Sequence, residues 1–243
     1  MPPGTPVVFD VLGTCFSFAG CRDALGKVFP TVAAEHASSI IDDWFHAAQR
    51  DFTYLSMNDS YTPIAQVLKA TLPRILLMHS LVPSSSSVSD SVTEPIISRI
   101  PTLDARTGLD VASSLLLDNK LRLLAATNGG LETTRGLFNR ALGEEQAGKW
   151  QYFSCDEDKV AKPAPSVYAQ IKKRLGVEDG KEPGWFVASH TWDLFAAKKA
   201  GFKTAFVTYE EFLTLPSLFG GEPDIVAPSL EDAAKQIIAR EAA

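Results

Sequence analysis

Short apolar runs bounded by turn residues recur five times along this 243-residue chain, and the later ones alternate with helical patterns. They are Pro6–Phe9 (PVVF), Leu121–Thr127 (LRLLAAT), Trp150–Ser154 (WQYFS), Trp185–Ala188 (WFVA) and Thr204–Val207 (TAFV). Apolar runs without polar alternation fit strands covered on both faces, which parallel sheets demand. Helices are predicted over Leu131–Leu142, Pro165–Leu175 and Thr191–Ala200. The second opens on proline and stops before Gly176, and the third stops before Gly201. Ser229, with Asp232 three residues on, resembles a capping box for a last helix over Leu230–Arg240. This order predicts an α/β fold, a doubly wound parallel sheet of Rossmann-like type.

The first run breaks the rhythm. Residues 16–100 read as helices instead, over Ala19–Val28, Ala33–Phe52 and Thr62–Met78. In the second of these, Ile40, Ile41, Trp44, Phe45, Ala48 and Phe52 make one wide apolar stripe. The stripe suits either an internal core or the subunit interface of a homodimer. Pro73 is expected to kink or break the third helix. The run PSSSSVSDS (83–91) reads as a mobile loop between helices. The expected organisation is therefore a core built from residues 1–15 and 101–243, with an all-helical insertion at 16–100.

Charge and composition narrow the function classes. Basic residues number 23 and acidic residues 29, a formal net charge of −6. KVAKP and QIKKR are too short and too separated to overcome that balance, so neither nucleic acid nor an anionic membrane is an expected partner. No window of about 18 apolar residues would span a bilayer. The start, MPPGTPVVFD, has neither the basic region nor the apolar core of a secretory signal. Cys15, Cys21 and Cys155 form no zinc spacing and no even disulfide framework, which suits a reduced, cytoplasmic protein. The four histidines, His36, His46, His79 and His190, show no metal-ligand spacing, and no metal site is expected.

Ligands of open parallel sheets sit beyond the carboxyl ends of the strands. There this sequence places Asp10, Gly13 and Thr14; then Thr127, Asn128, Gly129 and Gly130; then Asp156, Lys162 and Pro163; then Ser189, His190, Thr191, Trp192 and Asp193. Carboxylates, a hydroxyl–amide pair and a lysine thus converge from four strand ends.

FDVLGT, AATNGG, VAKPAPSVY and SHTWD, in that order, resemble the four motifs of the haloacid dehalogenase (HAD) superfamily, with the nearest likeness to the type II L-2-haloacid dehalogenases. The resemblance spans most of residues 5–240. It implies a Rossmann-like core carrying a helical cap, and a nucleophilic Asp10 that forms an aspartyl ester which water then hydrolyses. Thr14 would fix the Asp10 rotamer, and Lys162 would keep its carboxylate ionised. Asp193 would position Lys162 or take a proton from the attacking water. Thr127 and Asn128 match a pair that binds a substrate's acidic oxygens. Tyr168 matches a tyrosine near the reaction centre. The implied substrate is a small organic acid. No cofactor is implied, and magnesium could bind without being required.

The sequence also departs from the family. HAD phosphatases carry a general-acid aspartate two residues after the nucleophile, where this chain has Leu12. Losing a general acid typically costs ~10²–10⁴ in rate, which disfavours phosphate monoester hydrolysis. A halide leaves unprotonated, so carbon–halide cleavage needs no such acid. The dehalogenases have an aromatic residue at position 12, so Leu12 is unusual there too. The arginine expected on the cap becomes His46, with Arg50 one turn on, and a serine and an asparagine expected near the water become Ala188 and His190. His190 could serve as a base or simply bond a loop carbonyl. Beside a dehalogenase-like hydrolase, two alternatives remain: a divergent enzyme acting on another metabolite, and a non-catalytic relative that binds a ligand.

Overall fold

A computed structural model describes residues 4–177 and 181–242. The chain divides into two compact units, Met1–Phe16 with Ala105–Ala243 and, between them, Ser17–Asp104. The expected insertion, 16–100, thus lies at 17–104. In chain order the elements are β1 (Pro6–Asp10), β2 (Phe16–Ser17), α1 (Ala19–Val28), α2 (Ala34–Met57), α3 (Ile64–Met78), α4 (Asp90–Ile97) and β3 (Asp104–Ala105). They continue with α5 (Leu109–Asp118), β4 (Arg122–Thr127), α6 (Leu131–Leu142), α7 (Glu144–Ala147), β5 (Gln151–Ser154), α8 (Cys155–Asp158) and α9 (Pro165–Leu175). The last are β6 (Trp185–Ala188), α10 (Thr191–Lys199), β7 (Lys203–Val207), β8 (Ile225–Ala227) and α11 (Leu230–Glu241).

The first unit is an α/β fold around a six-stranded sheet in the order β5-β4-β1-β6-β7-β8. Its pairings are parallel. Alternating residues of one face, Val8, Leu124, Phe186 and Phe206, pack with Val167, Tyr168 and Ile171 of α9 and Leu194 and Ala197 of α10. The opposite face carries Phe9, whose ring meets Trp150 at 5.2 Å, while Trp150 meets Phe138 of α6 at 4.8 Å. Trp185, also on that face, donates Nε1–H to Glu241 of α11. Both faces are therefore dry, the condition the apolar runs foretold. The sheet order reverses at β1, which pairs with β4 on one side and β6 on the other. The carboxyl end of β1 is thus the switch point where a doubly wound sheet opens a crevice. Asp10 ends that strand.

The second unit is helical. Its core holds the stripe of α2: Ile40, Ile41, Trp44, Phe45, Ala48 and Phe52 are all buried within the chain. Trp44 donates Nε1–H to the Leu68 carbonyl at 2.9 Å, and the Phe45 and Phe18 rings stand 4.4 Å apart. The stripe is the core of this unit.

Several expectations need correction. Pro73 does not break α3, which runs through it. The carbonyl a proline leaves unpaired is that of residue i−4, here Lys69, an exposed position where water can serve it, while buried Leu72, Ile75 and Leu76 hold the helix down. The serine run contains a 3₁₀ turn at Ser85–Ser87, and α4 begins at its end. α5 and the edge strand β8 were not expected. Among the described residues no helix is long and apolar enough to cross a membrane.

Candidate active site

The turn after β1 is tight. Cys15 and Phe16 donate their N–H groups to the Val11 carbonyl, and Gly13 N–H closes the loop onto Phe16 O at 2.8 Å. Gly13 has φ +86°, and a Cβ there would stand 3.0 Å from His190 Cε1, so both conformation and space call for glycine. The turn brings Thr14 back over the strand end. Its hydroxyl donates to Asp10 Oδ2 at 2.7 Å and accepts from Ser189 N–H at 2.9 Å, which fixes where its single proton points.

Lys162 reaches the same carboxylate from the segment before α9. Its backbone N–H donates to Asn128 Oδ1, anchoring it to the turn after β4. Its ammonium donates at 2.6 Å to Asp10 Oδ1, at 2.6 Å to Asp193 Oδ2 and at 3.2 Å to the Ala126 carbonyl. An ammonium has three protons, and here all three have acceptors. The remaining oxygen of Asp193 accepts from the Tyr168 hydroxyl through a very short contact.

Burial raises carboxyl pKa values and lowers those of amines, so an isolated charge here would be expelled. Burial works against the Asp10 charge, yet the Lys162 ammonium, with His190 behind it, holds the carboxyl far below the ordinary carboxylate range. Burial likewise works against Lys162, but Asp10 and Asp193 push it above the usual lysine value. Asp193 ends above its ordinary value: burial and the neighbouring Asp10 charge outweigh Lys162. Asp10 is thus the firmer anion of the two.

His190 completes the cluster. Its Nδ1 lies 3.8 Å from Asp10 Oδ2, and its ring stacks on Trp192 with centroids 5.4 Å apart. Burial alone would lower its pKa, but the contact and charge of Asp10, followed by Glu210 and Glu211, raise it above 6.5. With His190 protonated, two buried cations face two buried anions.

Three residues not anticipated from the sequence support this end of the sheet. Arg106 donates Nε–H to the Gly13 carbonyl at 3.2 Å, pairs closely with Glu210 and lies 4.7 Å over the Tyr209 ring. Glu211 accepts from Thr191 N–H at 2.8 Å and from the Thr191 hydroxyl at 2.6 Å, capping α10 from outside the helix. A signal existed for the two glutamates: they follow β7, and the carboxyl end of a fifth parallel strand belongs in any search for ligand groups. Arg106 has no local signature.

The other expected site residues divide. Thr127 Oγ1 accepts from Gly129 N–H at 2.8 Å, which leaves its hydroxyl proton to donate elsewhere. Asn128 uses Oδ1 on Lys162, so its Nδ2 donors point elsewhere. Leu12 is half-buried, and a Cβ on Gly129 would lie 3.8 Å from its Cδ1, so it lines the Thr127–Gly130 turn as an apolar wall. His46 belongs to the helical unit, at an exposed position of α2. Arg50, the other candidate there, bonds Asp51.

The donor set does not suit a divalent metal. Both oxygens of Asp10 and both of Asp193 already accept from Lys162, Thr14 or Tyr168, and an ammonium occupies the space between the carboxylates. A hard cation would have to sit against that ammonium with too few anionic oxygens. Among the described residues no three His, Cys, Asp or Glu side chains gather as a metal-binding group.

No protein-family model matches the sequence, and a search of curated proteins finds no match. Solved structures do match. The L-2-haloacid dehalogenase of Xanthobacter autotrophicus, solved with chloropropionic acid covalently bound, aligns over 99% of this chain and 100% of its own, with 21% identity and a TM-score of 0.75. Another L-2-haloacid dehalogenase aligns over 96% and 98%, with 20% identity and a TM-score of 0.80. A candidate HAD hydrolase from Bacillus subtilis, bound to magnesium, aligns over 96% and 98%, with 14% identity and a TM-score of 0.68. The chain has the fold of these proteins: a Rossmann-like core with an inserted helical unit.

Proposed function

We propose that this chain, folded like the L-2-haloacid dehalogenases, is a hydrolase that displaces a leaving group, halide in the simplest case, from a small organic acid through an ester on Asp10. One observation carries the reading. A buried carboxylate at the sheet's switch point is held anionic between the Lys162 ammonium and the Thr14 hydroxyl, with no proton donor at position 12.

That arrangement suits attack on saturated carbon. Lys162 and Thr14 fix the carboxylate's orientation, which removes much of the entropic cost of bringing nucleophile and carbon together. Desolvation leaves an anion without a water shell to shed. Leu12 offers an apolar wall, adequate for a departing halide and of no use to an alkoxide that needs protonation. Asn128 Nδ2, the Thr127 hydroxyl proton and the N-terminal end of α6, which begins at Leu131, supply donors for the substrate carboxylate. Water then attacks the ester carbonyl of Asp10 and releases the hydroxy acid. The reaction needs no metal and no cofactor.

Halide release from 2-chloropropionate and 2-bromopropionate, compared with phosphate release from simple monoesters, tests this reading. Turnover is expected for the haloacids, unaffected by EDTA. Strict magnesium-dependent phosphatase activity would overturn it.

A further inference from the structure

We propose that His190 takes the proton from the water that hydrolyses the Asp10 ester. The proposal rests on the ester route above and adds to it the identity of the base. Asp193, the other candidate, has one oxygen on Lys162 and the other on Tyr168, so it serves both neighbours before it could serve a water. His190 stands on the opposite edge of the nucleophile, Nδ1 at 3.8 Å from Oδ2, while Lys162 holds Oδ1. A water that attacks the carbonyl carbon from that edge must come within ~2.6–3.2 Å of Nδ1 for the proton to transfer. The ring is fixed by Trp192 on one side and by the room Gly13 leaves on the other.

The charges facing His190 explain how it could be a cation at rest and a base on demand. They come from the end of β1, with Asp10, and from the segment after β7, with Glu210 and Glu211; Lys162, before α9, lies beyond Asp10. Glu210 is paired with Arg106, and Glu211 is committed to Thr191. Both are constant through the reaction. Asp10 is not. When its carboxylate attacks, the carbon–halogen bond breaks, halide leaves with the bonding pair, and the Asp10 side chain becomes an uncharged ester, the negative charge that remains lying on the substrate's own carboxylate. Lys162 and Asp193 then balance each other, and His190 has lost the anion beside its Nδ1 that favoured its protonation. It loses its proton to solvent as halide departs.

Neutral His190 next accepts a proton from water as the hydroxyl oxygen bonds to the Asp10 carbonyl carbon. The tetrahedral species expels the substrate oxygen, which takes the remaining hydroxyl proton and leaves as the hydroxy acid. Asp10 is again a carboxylate and His190 again an imidazolium. The sum is one haloacid and one water giving one hydroxy acid, one halide and one proton.

Single turnover with 2-bromopropionate, followed by intact-protein mass and by bromide release, tests the proposal in the wild type and in His190→Gln and His190→Leu. Both variants are expected to release about one bromide per chain and then stall as the ester, with its hydrolysis slowed ~10²–10⁴-fold. In the unaltered protein, ester hydrolysis should slow on the acid side as His190 protonates, while in the variants it loses that pH dependence. Variants that turn over without accumulating ester, or a flat wild-type profile for ester hydrolysis, would overturn the role of His190 and leave the ester route standing. Absence of any bromide from wild type would instead remove the ester route, and this role with it.

Discussion

Two charge triads, one in each unit, show what burial does to the same chemistry. In the helical unit Asp51 pairs with Arg50 and Arg74, whose side chains are 24%, 53% and 47% exposed. In the core Lys162 pairs with Asp10 and Asp193, at 1%, 7% and 0%. Water screens the first set, and such pairs contribute little to stability. The second set has no water to fall back on, so each charge depends on the others and the removal of one strands the rest. An exposed triad ties α2 to α3. A buried one stores a desolvated anion, which is what a nucleophile requires.

Four measurements would break or sharpen that contrast. The largest effect is expected for Asp10→Asn, which keeps the shape and loses the proposed nucleophile. Haloacid turnover should fall by roughly 10⁴-fold or more, measured as halide release. A variant within tenfold of wild type would show that the buried anion is structural only.

Lys162→Met should lower stability by about 3–5 kcal/mol, because it leaves Asp10 and Asp193 facing each other without their shared ammonium, and it should also lose turnover. Urea denaturation measures the first consequence. A loss under about 1 kcal/mol would mean that water reaches the cluster freely.

pH comes next. The His190 pKa is raised in the fold, so the stability it contributes is complete below its unfolded value near 6.5 and is lost as pH climbs through the folded value. The Asp10 pKa is lowered, so its contribution is present above about 3.8 and disappears as pH falls through the folded value. Denaturation midpoints should therefore be higher at pH 6 than at pH 9, by a margin that His190→Asn reduces. Equal midpoints in wild type would remove the imidazolium from the resting cluster.

The smallest effect belongs to the exposed triad. Asp51→Ala should cost less than about 1 kcal/mol and shrink further in high salt. A cost comparable to that of Lys162→Met would erase the distinction between the two triads.

The same contrast governs what the sequence disclosed. The parallel strands were legible because burial on both faces leaves unbroken apolar runs, and the stripe from Ile40 to Phe52 because helical period is a strong signal. β8 was not: it is three residues long with an exposed Val226 at its centre. α5 could have been found from Leu109, Ala112 and Leu116, which keep helical spacing. At the site, Asp10, Thr14, Lys162, Tyr168, Asp193 and His190 were singled out by motif and strand end, and the fold brings them within one hydrogen-bonded cluster or its edge. Glu210 and Glu211 follow β7 and could have been found there as strand-end polar groups, but Arg106 escaped because its partner Gly13 lies 93 residues away. Contacts across such separations leave no local pattern.

The claim beneath all of this is that the buried carboxylate itself becomes bonded to substrate. A single turnover of 2-bromopropionate in ¹⁸O-water, followed by mass analysis of the peptide containing Asp10, tests it most directly. Label in the Asp10 carboxylate and unlabelled hydroxy acid are expected. Label in the hydroxy acid with none in Asp10 would mean that water displaces the halide itself, and would contradict the account.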